Sequence, residues 1–499
     1  MRYLACGLAA TMVAVTGVSL AAQEVPATTP AFVEQGRAAL ERLKAAPEPR
    51  TRARNVIIFI GDGMGMSTIT AARIHAGQLL GRDGESYETT MDGLDHAALV
   101  KTYSFDAQVS DSAATATAIM SGVRTRSGVI GIGPEALNGD CASGKGHELP
   151  SLFGLAQQRG LATGIVTTTT VTHATPAATY GQTVQRNWES DADMPPLALE
   201  QGCIDLARQL VEGPVGRQLD VILGGGRAAF APAGQADPEY PDKAGKRRDG
   251  RDLVAQWRAA NPNGHYAWNS GQFAAFDPAR HTKLFGLFEP SHLQFEEDRT
   301  AGAAGEPSLA EMVATAIAAL SRSDQGYVLL VEGGRIDHAH HGGNARRALT
   351  DTVAMDQAVA TALSLVDLDE TLVLTTADHS HTLTIGGYTA RGTPMLGTVS
   401  HDGEQPHTAR DGKAYTTLIY ANGLGAPLGD DRHDPAEHDT LALDYRQHAA
   451  VPLSMETHAG EDVVVRASGP GAHLFRGTID QPLIYYIMEA ALLAERPEE

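Results

Sequence analysis

The densest group of potential metal ligands in the sequence lies in the segment Tyr327–His341, YVLLVEGGRIDHAHH. An apolar run ends at Glu332, and Asp337, His338, His340 and His341 follow within ten residues. Carboxylate and imidazole groups are the usual protein ligands of zinc, and carboxylates also bind magnesium. An aspartate and a histidine four residues apart can share one face of a turn and bind one ion. The segment therefore predicts a metal site, although by itself a solvated His-rich loop explains it equally well.

The same pattern recurs at the ends of three other short apolar runs. Each run predicts a strand, and acidic, imidazole or hydroxyl side chains follow it. The runs and the side chains after them are Asn55–Ile60 with Asp62, Gly164–Thr168 with His173 and Thr175, and Leu372–Thr376 with Asp378 and His379. Open α/β sheets bind ligands at the carboxyl ends of their strands, so four such strands favour a site more strongly than one. The alternative, a cap or turn residue after each strand, has to be invoked four times.

A candidate nucleophile lies in the segment Val109–Gly122, VSDSAATATAIMSG. Asp111 and Ser112 precede a run of small residues that is typical of a helix start. Backbone N–H groups at a helix N-terminus favour an anion, so a phosphate and a Ser112 alkoxide would be stabilised there. An ordinary Asp or Ser N-cap is the alternative, and it would be preferred without the metal ligands elsewhere. Farther along the chain, Arg186 is a candidate oxyanion clamp or a surface ion-pair residue.

The order of apolar runs and helical segments predicts how these side chains are positioned. Asn55–Ile60 leads into the helical segment Ser67–Leu80, and such alternation predicts a three-layer α/β fold with a mostly parallel central sheet. An amphipathic helix near Phe32–Ala45 would pack as an arm against another part of the protein, with another subunit as one possible partner. From about residue 386 to residue 452, Gly, Pro, His and Asp dominate, which predicts a small inserted subdomain with one strand at Tyr415–Tyr420.

The N-terminus has the composition of a secretory signal peptide. Within residues 1–22, Arg2 precedes an apolar segment from Leu4 to Leu20 and two small residues. We therefore expect export to the periplasm or the medium, a connector with the arm helix over residues 23–50, and one catalytic domain over residues 51–499. The polar C-terminus predicts no stable membrane anchor.

The chain is strongly acidic, with 499 residues and a formal net charge of −21. Removal of the signal peptide takes away Arg2 alone among the charged residues, which leaves 38 basic and 60 acidic residues and a net charge of −22. Such a surface repels nucleic acid and anionic membranes, so neither is expected as a partner. Cys141 and Cys203 remain after export, and one disulfide is the economical interpretation, although their spacing alone does not pair them.

Together these segments closely resemble alkaline phosphatases, and the animal-type branch more than the enterobacterial one. The resemblance runs from about Asn55 to Ile487 and rests on five motifs in the same order. The motifs are IGDGMG (Ile60–Gly65), DSAATAT (Asp111–Thr117), VEGGRIDHAHH (Val331–His341), TADHSH (Thr376–His381) and ETHAGEDV (Glu456–Val463). The resemblance implies the alkaline phosphatase fold, a crown-like insertion and a homodimer.

The resemblance also implies two zinc ions and one magnesium ion. The ligands would be Asp337, His341 and His458 for the first zinc; Asp62, Asp378 and His379 for the second; and Asp62, Thr175 and Glu332, with His173 close by, for the magnesium. Ser112 would be the nucleophile, Arg186 the phosphate clamp and His338 a lining residue of the phosphate site. The implied activity is hydrolysis of phosphate monoesters through a phosphoserine, in which two zinc ions stabilise the attacking and the leaving oxygen.

Three further details follow from the resemblance. Cys141 and Cys203 match positions that are bridged in the animal-type enzymes. A structural calcium would be bound by Glu239, the carbonyl of Phe288, Glu289 and Glu306. Glu306 stands where the family usually has aspartate, and an acidic surface loop is the alternative. His173 matches the animal-type histidine where the enterobacterial branch has aspartate, so the third site should bind magnesium less tightly and admit zinc more readily.

Other functions remain as alternatives. A sulfatase of the same superfamily would need a C/S-x-P-x-R signature, and none surrounds Ser112. A phosphodiesterase would lack the third metal set, so Glu332 and Thr175 favour monoesters. A metal-stabilised secreted binding protein without catalytic activity would have lost the nucleophile or a zinc ligand, and none is lost.

Overall fold

The computed structural model of the chain describes residues 28–44, 52–82, 84–299, 304–429 and 431–493. The predicted signal peptide, residues 1–22, lies outside these ranges. The described strands are β1 Asn55–Gly61, β2 His96–Lys101, β3 Ala162–Thr170, β4 Val221–Gly225, β5 Gly264–Ala267, β6 Lys283–Leu287, β7 Tyr327–Gly333, β8 Thr371–Ala377, β9 Ser380–His381, β10 Leu383–Ile385, β11 Leu418–Gly423, β12 Ala449–Pro452, β13 His458–Ala459, β14 Val463–Ser468 and β15 Thr478–Asp480.

Helices of very different length connect the strands. The described helices are α1 Thr29–Lys44, α2 Met66–Leu79, α3 Ser112–Ser121, α4 Cys141–Gly144, α5 Leu152–Gln158, α6 Ala174–Ala177, α7 Pro196–Glu200, α8 Leu206–Glu212, α9 Arg227–Phe230, α10 Leu253–Ala260, α11 Ser270–Ala274, α12 Leu309–Leu320, α13 Arg335–His341, α14 Ala345–Leu365 and α15 Leu483–Leu493. Short 3-10 turns occupy Met91–Gly93, Asp191–Asp193, Gly216–Gln218, Pro435–Glu437 and Ala472–Leu474.

The ten-stranded central sheet has the strand order β15-β2-β14-β8-β1-β7-β3-β4-β6-β5. The strands from β8 to β5 are all parallel, and β14 pairs antiparallel with both β8 and β2. The prediction of a mostly parallel sheet is confirmed. The four strands singled out in the sequence, β8, β1, β7 and β3, are direct neighbours at its centre. Ile60 pairs with Glu332 on one side and Thr376 on the other, so these strands end at one level.

Helices cover both faces of the sheet. The helices α12 and α14 pack on one face, with α2 against α14, while α3, α5 and α15 pack on the other. Because both faces are covered, β1 and β7 are continuous apolar runs without alternation, and every side chain from Val56 to Ile60 is buried. The predicted three-layer α/β class is confirmed. The helix α1 packs against α15 of its own chain, and its contact with another subunit stays a prediction.

A small three-stranded sheet of β10, β11 and β12 stands outside the central one. Leu383, Leu418 and Tyr420 form a separate apolar cluster that also includes Ala72 of α2 and Leu349 of α14. The strand predicted at Tyr415–Tyr420 lies three residues later, as β11, because Tyr415 to Thr417 belong to the loop that precedes it. The strands β11 and β12 fall within residues 386–452, and the boundaries of that insertion stay a prediction.

The predicted disulfide between Cys141 and Cys203 is present, with 6.1 Å between the two Cα atoms. It ties the start of α4 to the loop after α7, across 62 residues of chain. The bond lies in a small apolar cluster with Ile132, Val184 and Trp188. Among the described helices, none combines the length and hydropathy that a membrane crossing requires.

Candidate metal centre

The carboxyl edge of the four central strands gathers the predicted ligands into three adjoining clusters. Asp62 follows β1, Asp378 and His379 follow β8, and Glu332 lies near the end of β7. Parallel strands deliver these side chains to one edge because their carboxyl ends point the same way. In each cluster, the potential ligand atoms lie within 4.8 Å of one another.

The first cluster is built around one oxygen of Asp337, in helix α13. His341 Nε2 and His458 Nε2 both lie 3.3 Å from Asp337 Oδ1, and the two nitrogens are 3.2 Å apart. The Nδ1 atoms of these rings donate to backbone carbonyls, at 2.6 Å from His341 to Glu456 and at 2.8 Å from His458 to Ser110. These bonds leave both Nε2 lone pairs directed at the cluster, as in histidines that bind metal.

The second cluster contains the remaining zinc ligands implied by the sequence, Asp62, Asp378 and His379, all fully buried. His379 Nε2 lies 3.4 Å from Asp62 Oδ1 and 3.3 Å from Asp378 Oδ2. Its Nδ1 donates to the carbonyl of Ser380 at 3.3 Å, so His379 also turns Nε2 toward its partners. Gly63, with a φ of +67°, makes the sharp turn after Asp62 and donates its N–H to Asp378 Oδ1 at 3.0 Å.

Ser112, the first residue of α3, points its hydroxyl into the second cluster. Ser112 Oγ lies 3.3 Å from Asp62 Oδ1 and 3.1 Å from His379 Nε2. The cap of α3 is supplied by Asp111, whose side chain accepts from the N–H of Ala114. The two alternatives left open by the sequence therefore fall on different residues, since Asp111 caps the helix and the Ser112 hydroxyl faces the metal ligands.

The third cluster is marked by buried polar atoms that lack a hydrogen-bond partner. The four atoms are Asp62 Oδ2, His173 Nδ1, Thr175 Oγ1 and Glu332 Oε1. His173 Nδ1 lies 4.0 Å from Asp62 Oδ2 and 3.9 Å from Glu332 Oε1. The other oxygen of Glu332 accepts from Thr167 and, at 2.9 Å, from Thr169. Buried polar groups are rarely left unpaired, so the three oxygens of Asp62, Thr175 and Glu332 fit a bound cation, with His173 Nδ1 beside them.

Arg186 and His338 lie beside the third cluster. Arg186 donates from Nη1 to Asp111 at 3.2 Å and from Nη2 to His173 Nε2 at 3.0 Å. It is therefore held between the cap residue of α3 and the predicted magnesium site. His338 Nδ1 accepts from Arg335 at 2.9 Å, and its ring contacts that of His173 edge to face.

The electrostatics of the edge are determined by four buried acidic side chains, those of Asp62, Glu332, Asp337 and Asp378. Burial, reinforced by Asp378, Asp337 and Glu332, raises the pKa of Asp62 well above its ordinary value. Burial, together with the neighbouring His458, lowers the pKa of His379 well below its ordinary value. The fold thus favours neutral imidazole at His379 and penalises a bare carboxylate at Asp62, and bound cations would relieve that penalty.

Sequence reasoning missed His381 and Glu456, which support the first cluster. His381 Nε2 lies 2.6 Å from Asp337 Oδ1 and its Nδ1 lies 2.5 Å from Glu456 Oε2. Burial opposes a charge on His381, but Asp337 and Glu456 raise its pKa to about 10. His381 therefore acts as an imidazolium that orients Asp337. The TADHSH motif contains His381 and could have identified it. In the structure, the pairing of β9 with β13 places His381 directly opposite His458.

Two other histidines lie close to the clusters, His340, which the sequence had singled out as a potential ligand, and His292, which it had not. His340 is completely buried between Thr68 and Tyr420, with ring nitrogens 3.0 Å and 2.8 Å from their hydroxyls. His292 follows β6, and its ring lies against those of His173 and His338. Both ring nitrogens of His340 are thus occupied by hydroxyl groups, so it is not a free ligand. His292 follows none of the four strands, so the strand-end pattern could not identify it.

The predicted calcium ligands are less compact. Among the described residues, Glu239, Glu289 and Glu306 do not form one of the clusters with all donors within 4.8 Å. Arg227 donates to Glu239 at 3.3 Å, Tyr240 donates to Glu289 at 3.1 Å, and Gln294 donates to both Glu289 and Glu306. Phe288 is buried directly before Glu289. One oxygen of Glu306, Oε2, is buried without a partner.

The three-layer fold and the clusters at one sheet edge define an α/β protein built to bind metal ions. A family profile described as alkaline phosphatase matches residues 53–494. The chain belongs to the alkaline phosphatase family, whose members are hydrolases.

Curated relatives and solved structures agree with this assignment. The chain is 45% identical over 446 residues to the tissue-nonspecific alkaline phosphatase of Gallus gallus, with 88% of this chain and 84% of the relative covered. It is 43% identical over 448 residues to an alkaline phosphatase of Gadus morhua, with 89% and 92% covered. The structure of Thermus thermophilus alkaline phosphatase is similar with a TM-score of 0.64, 26% identity and 91% and 95% coverage. The enzyme of the Antarctic bacterium TAB5, at 20% identity and a TM-score of 0.60 over 90% and 100% of the chains, shares the fold.

Proposed function

We propose that the chain hydrolyses phosphate monoesters to an alcohol and inorganic phosphate, with Ser112 as the nucleophile. The observation that carries the proposal is the position of the Ser112 hydroxyl, 3.1 Å from His379 and 3.3 Å from Asp62 inside a cluster of metal ligands. Family membership and the names of the relatives support the same reaction.

The reaction would proceed in two displacements at phosphorus. Ser112 Oγ attacks the phosphorus, the bond to the alcohol oxygen breaks, and a phosphoserine forms. Water then attacks the same phosphorus, and release of inorganic phosphate restores the Ser112 hydroxyl. Ser112 is placed for both steps at the N-terminus of the ten-residue helix α3, where the backbone N–H groups favour an anion.

Arg186 would bind the oxygens of the transferred group that stay negative throughout. A guanidinium can hold two such oxygens at once. Its bonds to Asp111 and His173 fix it next to Ser112, and its side chain keeps one-fifth of its surface exposed. His338, partly exposed and held by Arg335, would line the same site.

The donor sets fit two zinc ions and one magnesium ion. Histidine nitrogens with carboxylates in the first two clusters suit zinc, and the oxygen-rich third cluster suits magnesium. Zinc would be held by Asp337, His341 and His458 and by Asp62, Asp378 and His379, and magnesium by Asp62, Thr175 and Glu332, with His173 close by. When bound, the zinc ions supply Lewis-acid stabilisation of the attacking and the leaving oxygen.

We also propose that the mature chain is exported and forms a homodimer. The disulfide between Cys141 and Cys203 supports an oxidising compartment. Three apolar side chains of one segment, Val451, Leu453 and Met455, are 41–53% exposed, and such a patch is typical of an interface. A Leu453→Glu variant that sediments as the wild type does would count against this patch as the dimer contact.

Metal analysis combined with assays on p-nitrophenyl phosphate and bis(p-nitrophenyl) phosphate tests the function. We expect metal-dependent hydrolysis of the monoester, much slower hydrolysis of the diester, and close to two zinc ions and one magnesium ion per chain. A preference for the diester would favour a phosphodiesterase, and a metal-loaded chain that turns over neither compound would point to a binding protein.

A further inference from the structure

Three histidine rings from separate parts of the chain meet beside the predicted phosphate site. His292 lies after β6, His173 after β3 and His338 in α13. The ring centres of His292 and His338 are 4.4 Å apart, and each lies 5.6 Å from the ring centre of His173. The metal clusters use His173 alone of the three, so the arrangement of the other two needs its own explanation.

A fixed donor determines which nitrogen of each ring is protonated. The Thr170 N–H donates to His292 Nδ1 at 3.1 Å, and Arg335 donates to His338 Nδ1 at 2.9 Å. A nitrogen that accepts a hydrogen bond carries no proton, so both rings bear their N–H at Nε2. Neither Nε2 atom hydrogen-bonds to another described residue. Both residues are partly exposed, and these two N–H groups are thus available to a ligand from solvent.

A lysine adds positive charge at the same place. Lys246 is exposed in the loop between α9 and α10, and it makes no ion pair with a described residue. The Lys246 N–H donates to the Ala228 carbonyl at 2.8 Å, and the Ala228 N–H donates to the Pro290 carbonyl at 3.1 Å, so the loop that carries Lys246 runs beside the segment that leads to His292. An unpaired cation is notable in a chain of net charge −21.

We propose that Lys246 and His292 extend the phosphate site beyond His338 and form an accessory anion site that binds a second phosphate group of the substrate. The inference rests on the proposed function, since Arg186 and Ser112 would hold the phosphate that is transferred. Two N–H donors and an ammonium match the oxygens of a phosphate, and donors joined to a cation form the stronger kind of hydrogen bond. The site would favour oligophosphates, of which inorganic pyrophosphate and tripolyphosphate are the simplest.

Two substitutions at His292 separate ligand binding from support of the fold. In His292→Asn, the amide oxygen can still accept from the Thr170 N–H, but the distal N–H is lost. In His292→Gln, the amide nitrogen can reach the position of Nε2, but the acceptor for Thr170 is lost. If His292 binds a ligand, His292→Asn should weaken ligand binding. If His292 only supports the fold, His292→Gln should instead lower the stability of the protein.

The test compares kcat/KM for pyrophosphate and tripolyphosphate with kcat/KM for p-nitrophenyl phosphate, which carries one phosphate. We expect Lys246→Ala to lower this ratio about 3- to 10-fold at low ionic strength, for at least one of the two oligophosphates, and less at high ionic strength. We expect His292→Asn to lower it about 3- to 5-fold, the effect of one lost hydrogen bond. Lys243→Ala is the matched control, because Lys243 lies in the same loop over the ring of Tyr240.

A binding measurement keeps the inference separate from the activity. The affinities for methylenediphosphonate and methylphosphonate, measured by calorimetry on the metal-loaded chain, require no turnover. We expect Lys246→Ala and His292→Asn to weaken the diphosphonate selectively. Unchanged ratios in both variants, or equal losses for one-phosphate and two-phosphate compounds, would overturn the accessory site. Loss of p-nitrophenyl phosphate hydrolysis in the wild type would instead overturn the proposed function, and the phosphonate affinities would still decide the inference.

Discussion

The carboxyl edge of the central sheet and the acidic loops around Glu289 both collect carboxylates, but they balance them differently. At the sheet edge, Asp62 Oδ2 and Glu332 Oε1 are buried and have no protein donor. In the acidic loops, Arg227 supplies a guanidinium to Asp237 and Glu239, and Tyr240 and Gln294 donate to Glu289. One region leaves its negative charge to be neutralised by bound cations, and the other carries much of its own neutralisation.

This difference shows that the number of acidic residues is a poor guide to a metal site. The more informative feature is a buried donor atom that the rest of the chain leaves unpaired, because such an atom is costly unless a ligand or water satisfies it. By that criterion the sheet edge, with several unpaired buried donor atoms, favours bound cations. Among the described residues of the acidic loops, Glu306 Oε2 alone is such an atom.

The largest effect is expected from Ser112→Ala, which removes the proposed nucleophile and leaves the donor clusters in place. We expect kcat on p-nitrophenyl phosphate to fall about 10³-fold or more, while zinc content and melting temperature stay close to the wild type. Ser121→Ala is the matched control, since Ser121 ends the same helix and bonds only to the carbonyl of Thr117. Phosphate found on the peptide around position 112 of the alanine variant would show that another group is the nucleophile.

A smaller effect is expected from Glu456→Gln, which weakens the support of the first cluster without touching a predicted ligand. Without the Glu456 carboxylate, His381 is held in place by Asp337 alone. We expect zinc affinity, measured by competition with a chromophoric chelator, to fall about 10- to 100-fold, as for other groups that orient metal ligands.

Glu461→Gln serves as the control for that change, because Glu461 lies beside the same strand pair but bonds to Ser380 rather than to a histidine. Equal zinc affinities of the Glu456→Gln variant and the wild type would show that His381 does not depend on this carboxylate.

His173→Asp tests the third cluster, where the sequence predicts weak magnesium binding. A carboxylate at this position adds a negative charge next to Asp62 and Glu332 and orients the waters of hexacoordinate magnesium. We expect magnesium to bind about tenfold more tightly, so that the dialysed variant is no longer activated by added magnesium. His147→Asp, at a surface histidine paired with Glu135, controls for the added charge. Coincident magnesium titration curves for wild type and variant would refute the prediction.

Local patterns were sufficient to predict the sheet and its reactive edge. Apolar runs followed by Asp62, Glu332 and Asp378 located three strand ends, and parallel pairing then brings them together without further information. His381 and Glu456 were not predicted, because they meet across 75 residues of chain. The contact of His292 with the Thr170 N–H spans 122 residues. Such pairs depend on how loops fold over the sheet edge, and a single sequence carries no periodic signal for that.

The smallest effect is expected where the acidic loops meet the predicted calcium ligands. Glu306 Oε2 is unpaired, and burial together with Glu289 raises the pKa of Glu306 to about 8. A calcium ion held by Glu239, Glu289, Glu306 and the Phe288 carbonyl would satisfy that oxygen and displace its proton. We therefore expect calcium to raise the melting temperature by about 1–2 °C, because roughly 1 kcal/mol of stabilisation shifts a chain of this size less than the 2–4 °C typical of about 200 residues.

The stabilisation by calcium should increase with pH. Below pH 8 the Glu306 proton competes with calcium, and above it the carboxylate is free, so the stabilisation should be larger at pH 9 than at pH 7. Glu289→Gln should abolish it, whereas Glu296→Gln should not, because Glu296 pairs with Arg299 outside the predicted set. Calcium that neither binds stoichiometrically nor shifts the melting temperature would mean that Arg227 and the neighbouring donors neutralise these loops without a metal.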